Sequence, residues 1–355
     1  VVHGQGTLYL TELNSDVKSV KGKPVKIWQG GFKNAHELGG GFGMEGSHMY
    51  RINGKYYITC PAGGTGGWQI CLRSDNIYGP YEHKLIMNDW SSYPENGLHQ
   101  GGMVQLKNGD WWFMIMQDRG PIGRVPCLVP VKWIDGWPML GDEGKDLITY
   151  PKPATGKKSK IKSPATTDEF NASQLGLQWQ WNHNPDNSRW SLKERKGYMR
   201  LYASQASTLK DARNTLTQRV QGPSCEGSVE MEVTGLKDGN IAGFGIFEFP
   251  YAYVAIRQES GRRKIVMCND GKDIETVEHF NGDKLWIRVR ATDKEFKALF
   301  YYSLDGVNYK RIGNELQMGL GLPWTANRFA LFNFNTTPQG NNGYADFNWF
   351  RFTNK

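Results

Sequence analysis

Met44-Glu45-Gly46-Ser47-His48-Met49-Tyr50-Arg51-Ile52-Asn53-Gly54-Lys55-Tyr56-Tyr57-Ile58 reads as two strands joined by an Asn-Gly turn. Asn53-Gly54 tolerates the positive φ angles of a two-residue hairpin loop, so Met49 to Ile52 is expected to fold back on Lys55 to Ile58. Glu45 stands just ahead of the first strand. Gly39-Gly40-Gly41-Phe42-Gly43 leads into it, a run through which backbone can pass close to another group. A single carboxylate beside a hairpin is by default a solvated rim residue. Its weight depends on what the rest of the chain places around it.

Outward from this hairpin the same texture continues. Thr7 to Leu10 and Val25 to Trp28 read as strands upstream. Gly67-Trp68-Gln69-Ile70-Cys71-Leu72-Arg73 follows downstream, then Gly101 to Leu106, which pairs across Lys107-Asn108-Gly109-Asp110 with Trp111 to Met116. Pro126 to Trp133 is one more strand, closed by Asp135-Gly136-Trp137-Pro138. The hairpins recur at about fifty residues, and the two clearest carry an Asn-Gly turn and an aromatic pair, as propeller blades do. Residues 151–166 are Pro- and Lys-rich without periodicity and read as a linker. Beyond them strands are short and turns regular, and Leu285-Trp286-Ile287-Arg288-Val289-Arg290 alternates cleanly, the pattern of a β-sandwich. No long helix is expected.

A chain of 355 residues is too long for one ordinary core. Aromatics make up 13%, with 13 Trp, and there are 43 Gly, consistent with many short strands between tight turns. Such rings mostly fill sheet cores; those left at a rim can stack on a pyranose face. The net charge of +8 is densest at Lys157-Lys158-Ser159-Lys160-Ile161-Lys162, a solvated linker run rather than the one-sided basic face of a nucleic-acid protein. No apolar run is long enough to span a bilayer. Five cysteines, an odd number without metal spacing, read as buried thiols. The chain opens at Val1 and is in strand by Thr7, so its natural N-terminus is expected upstream.

Three segments carry a family resemblance. Glu45-Gly46-Ser47-His48, followed by Tyr50, Asn53-Gly54 and a Tyr pair, resembles the general-acid motif of glycoside hydrolase family 43, with Ser47 where the family has Pro. His99-Gln100-Gly101-Gly102-Met103-Val104 through Trp111-Trp112 resembles the family's next blade. Gln117-Asp118-Arg119-Gly120-Pro121-Ile122-Gly123-Arg124-Val125-Pro126, then Trp133 to Pro138, resembles its final blade. The resemblance implies an all-β chain: residues 1–150 as the C-terminal part of a five-bladed catalytic propeller, a linker at 151–166, and a jelly-roll-like β-sandwich at 167–355, similar to the C-terminal domain of family β-xylosidases.

It also implies chemistry. Family members invert the anomeric centre, one carboxylic acid protonating the leaving oxygen while a carboxylate activates water. Glu45 matches the acid. The base and a pKa-modulating Asp precede that Glu in family order. Asp16, the one Asp ahead of Glu45, sits in a polar turn without the family's context, so both are expected upstream of this sequence. Arg124 matches an arginine that contacts the sugar, Thr65 a pocket threonine, and His99 an axial histidine near calcium or its waters. Gln100 and Asp118 are expected pocket neighbours, with Arg119 beside them. Trp324, in Pro323-Trp324-Thr325-Ala326, matches an aromatic loop that closes the pocket. The expected activity is pentose release from xylo-oligosaccharides or arabinoxylan fragments, as a β-D-xylosidase. α-L-Arabinofuranosidase is the near alternative, and non-catalytic carbohydrate binding the one that applies without an upstream base. No cofactor is expected for the chemistry, a structural Ca2+ is compatible with it, and so is a homo-oligomer; nucleic acid and membrane are not expected as partners. A bacterial periplasmic or secreted location is favoured over the cytoplasm.

Overall fold

The computed structural model describes residues 1–29, 44–89, 96–146, 149–156, 160, 162–319, 325–338 and 340–354, apart from the Thr65 side chain. The chain divides into two compact units. The first comprises Val1–Arg119 and Arg124–Lys160; the second comprises Gly120–Gly123 and Ile161–Lys355. Among the described residues the regular elements are strands and two short 3-10 turns, with no α-helix.

The first unit is a series of antiparallel sheets. β1 (Val2–His3), β2 (Thr7–Leu10) and β3 (Val25–Gln29) form a small one. β4 (His48–Ile52), β5 (Lys55–Ala62), β6 (Trp68–Ser74) and β7 (Glu82–Met87) form a four-stranded meander. β8 (Leu98–Gln105), β9 (Trp111–Asp118), β10 (Arg124–Ile134) and β11 (Trp137–Leu140) form another. The two meanders are propeller blades. The β4–β5 hairpin closes as its residues dictate: Asn53 and Gly54 take φ of 49° and 82°, and Ile52 pairs with Lys55. Both central residues at positive φ make the primed turn whose twist matches the strands it joins.

Alternation along each strand sends neighbouring residues to opposite faces. Ile70 and Leu72 join Leu8, Leu10, Ile27 and Ile58 in one apolar cluster. Cys71 between them turns the other way, into a cluster with Tyr57, Met103, Phe113, Ile115 and Val129. The β4–β7 sheet is therefore buried on both faces, which is why β5 and β6 read as nearly continuous apolar runs.

In the second unit two eight-stranded sheets form a β-sandwich. Its core includes Phe244, Phe300, Phe329, Phe347 and Phe350. Ala330, Phe332 and Phe334 alternate with Phe329 and Leu331 and fill a separate cluster on the sheet's other face. All five cysteines are free thiols; four are buried and Cys127 is partly so. Asp16 lies in an exposed turn, where Oδ1 accepts the Lys18 N–H at 3.0 Å. The glycine run 39–43 and most of the basic run 157–162 lie outside the described residues.

Candidate active site

Antiparallel pairing gathers the motif residues at one end of the first unit. Arg124 opens β10 directly opposite Asp118, which closes β9. His99 and Gln100 lie at the start of β8, opposite the end of β9. Glu45 and Gly46 precede β4. The loops of both sheets thus deliver polar side chains to one edge while the apolar faces hold the strands beneath.

His99 is 3% exposed. Its Nδ1 donates to the Gly97 carbonyl at 3.0 Å, which sets the proton on that nitrogen and leaves the Nε2 lone pair directed at Asp118 Oδ2, 3.6 Å away. Asp118 is 5% exposed, and its Oδ2 has no hydrogen-bond partner among the described residues. Two facing acceptors are satisfied when either carries a proton. Burial pulls the imidazole below its ordinary value, opposed by the Gly97 carbonyl and the Asp118 charge, with a smaller upward pull from Glu45. Gly67 makes room for the ring: a Cβ there would lie 2.5 Å from His99 Cγ.

Arg124 joins these groups. Its Nε donates to Asp118 Oδ1 and its Nη1 to Gln100 Oε1, both at 3.4 Å. These are long contacts. A guanidinium can exchange such contacts for a pair of ligand hydroxyls. Gln100 takes φ of 57°, and its side chain lies against Gly46, where a Cβ would come within 3.3 Å of Gln100 Nε2. Glu45 itself is exposed, and its Oε2 accepts from Gln5 Nε2 at 3.3 Å. The β1–β2 turn steadies the approach to it, through the Gly6 N–H donating to the Met44 carbonyl at 2.9 Å. Tyr50 ties the two sheets, its hydroxyl oxygen accepting the Met103 N–H at 2.8 Å.

Of the expected site residues, Glu45, His99, Gln100, Asp118 and Arg124 come together here. Thr65 lies in the 3-10 turn Gly64–Gly66 between β5 and β6, at the same end of the sheet; its side chain is outside the described residues, as is the whole of Trp324. Arg119 turns elsewhere: its Nε donates to Gln117 Oε1 at 2.8 Å, and it lines a separate cleft of about 480 Å³ with Trp112, Asp146 and Tyr150. Calcium takes six to eight oxygen ligands. His99 Nε2 and Asp118 Oδ2 offer one nitrogen and one oxygen, and among the described residues no three His, Cys, Asp or Glu side chains group for a metal. The residues at His99 therefore do not fit a directly coordinated calcium. Gln5, Gly67 and Gln69 belong to the site without having stood out in the sequence. The available signal was an amide inside the apolar run of β6, where a polar side chain needs a partner.

Comparison with known proteins follows the same division. The model of glycosyl hydrolases family 43 matches residues 2–138, and that of the β-xylosidase C-terminal concanavalin A-like domain matches residues 167–353. A β-xylosidase of Formosa agariphila is 32% identical over 88% of this chain and 60% of its own length. A non-reducing end α-L-arabinofuranosidase of Bacteroides ovatus is 28% identical over 88% of this chain and 63% of its own. The solved structure of a bifunctional GH43-CE protein of Bacteroides eggerthii superposes with a TM-score of 0.87 at 38% identity, covering 100% of this chain and 46% of that one. The chain thus spans about half to two thirds of the length of these proteins.

Proposed function

The chain belongs to glycosyl hydrolase family 43, and from that premise we propose that it serves an inverting glycosidase that releases pentose units from xylan-derived oligosaccharides, as a β-D-xylosidase. The observation that carries this reading is the convergence of Glu45 with the Arg124–Gln100–Asp118–His99 cluster at one end of the two blades. Glu45 is the general acid, exposed to a leaving group. Arg124 is the fork that takes two sugar hydroxyls, and Gln100 and Asp118 hold it. Water-activating base and pKa-tuning Asp are assigned to residues N-terminal to this sequence. The chemistry asks for no cofactor, and no step is given to calcium, which the donors at His99 do not suit by direct coordination.

Two relatives bear on the sugar. The Formosa protein is named a β-xylosidase and the Bacteroides ovatus protein an α-L-arabinofuranosidase, so the second pentose is the specific alternative. Paired assays on an aryl β-D-xyloside and an aryl α-L-arabinofuranoside decide between them. A kcat/KM at least tenfold higher on the xyloside is expected; the reverse ratio assigns the arabinofuranosidase. Binding of xylo-oligosaccharide without turnover of either, in the native protein, would leave a carbohydrate-binding role instead. A periplasmic or secreted location is part of the same proposal, and cell fractionation tests it.

A further inference from the structure

One strand at the site is irregular: β8 shifts register between His99 and Gly101 against β9. A bulge leaves one residue out of the ladder and re-aims its side chain. Here that residue is Gln100, whose φ of 57° is unusual for a residue with a Cβ. Its backbone N–H does not go unpaired: it donates to Gln69 Oε1 at 2.8 Å, across from one sheet to the other. Gln69 has no exposed surface, and its Nε2 has no hydrogen-bond partner among the described residues. The buried amide therefore acts through its oxygen alone. The Gln100 side chain, fixed by this bond, lies over Gly46 and accepts from Arg124 Nη1.

We propose that Gln69 is a positioning residue: its oxygen holds the Gln100 bulge, and through Gln100 the Arg124 fork, in the arrangement that receives the sugar. The ligand half of this proposal rests on the glycosidase reading; the geometric half does not. Removing the acceptor leaves a part-buried N–H without its partner and gives the bulge no reason to keep its left-handed residue.

The test compares Gln69→Met, which keeps the length of the side chain and removes the oxygen, with Gln69→Glu, which keeps the acceptor oxygen and replaces the unpartnered NH2 by a carboxyl OH, burial holding the acid protonated. Two quantities are read in each: hydrogen exchange at the Gln100 backbone amide, and the affinity for xylobiose by calorimetry. Gln69→Met is expected to speed Gln100 exchange and weaken xylobiose binding by about tenfold or more each, the scale of a lost hydrogen bond. Gln69→Glu is expected to restore most of both. Wild-type exchange and affinity in Gln69→Met overturn the proposal, and so does equal impairment in the two variants, which would mean packing alone. If Gln69→Met does not fold, Gln69→Glu decides: retained Gln100 protection supports the proposal, and its loss in a folded protein overturns it. Should the wild type bind no xylobiose while Gln100 protection still follows the Gln69 oxygen, the positioning stands and the glycosidase reading falls.

Discussion

Asp118 and Asp346 are both almost fully buried carboxylates, one in each unit, and the molecule treats them in opposite ways. Asp346, 2% exposed, is saturated: Oδ2 accepts from Arg195 Nη1 at 3.0 Å and Arg200 Nη2 at 2.8 Å, and Oδ1 from Arg200 Nε at 2.8 Å. Glu226 and Glu230, on the strand Ser224–Glu232 of the same sandwich, are likewise paired with Arg290 and Lys284. Among the described residues Asp118 has one long bond from Arg124 and, at Oδ2, no hydrogen-bond partner. The difference separates architecture from chemistry. Charges that are buried and fully paired hold strands in place, and removing one partner is costly. Charges that are buried and left partly open are costly to keep, and they persist where a ligand or a proton completes them.

The sharpest way to break this comparison is at Asp346. Asp346→Ala leaves two guanidiniums facing each other in a half-buried site, and is expected to cost roughly 3–5 kcal/mol of stability, read as a Tm lower by about 10 °C. A shift of only a degree or two would put Asp346 with the weak surface pairs instead. Arg124→Ala tests the other arm. Its bonds to Asp118 and Gln100 are long, so Tm is expected to move little, while kcat/KM falls about a hundredfold through loss of sugar contacts. Arg124→Lys should recover little of that, because an ammonium is not a fork.

Gly67→Ala sharpens the account of His99. The added methyl would meet the His99 ring and the Ala62 and Gly64 carbonyl oxygens, so activity is expected to fall about tenfold. Normal activity would show that His99 has another acceptable position. The smallest effect is in pH. Because His99 titrates below its ordinary value, the native state binds fewer protons there than the unfolded chain, and stability from this group is full above the imidazole's unfolded pKa. It is lost as pH falls through the lowered one. His99→Gln is expected to flatten that acid-side decline in Tm, and an unchanged slope would place the effect elsewhere.

Much of this was legible in the sequence because it is local. Asn53-Gly54 specifies its own turn, and the alternation around Leu285 to Arg290 specifies a strand, without reference to distant residues. The motif residues Glu45, His99, Gln100, Asp118 and Arg124 were nameable because their types and order carry chemistry. What the sequence does not show is long-range. That Gln69 bonds the backbone of Gln100 depends on two sheets meeting at the β8 bulge, and a Gln inside Trp68 to Leu72 looks like an ordinary strand residue until its partner is in view. Gly67 is similar: its reason is the ring of a residue more than thirty positions away. The pairing of Asp118 with Arg124 rather than with adjacent Arg119 follows from register across the β9–β10 pair, which sequence adjacency misrepresents.

Glu45→Gln in the native protein tests most directly whether Glu45 is the proton donor to a glycosidic oxygen. Hydrolysis of xylobiose, whose leaving group needs a proton, is measured beside that of a dinitrophenyl β-D-xyloside, whose leaving group does not. The account predicts a loss of about a hundredfold or more in kcat on xylobiose and a much smaller one on the activated xyloside. Equal losses on both, or none on xylobiose, would contradict it.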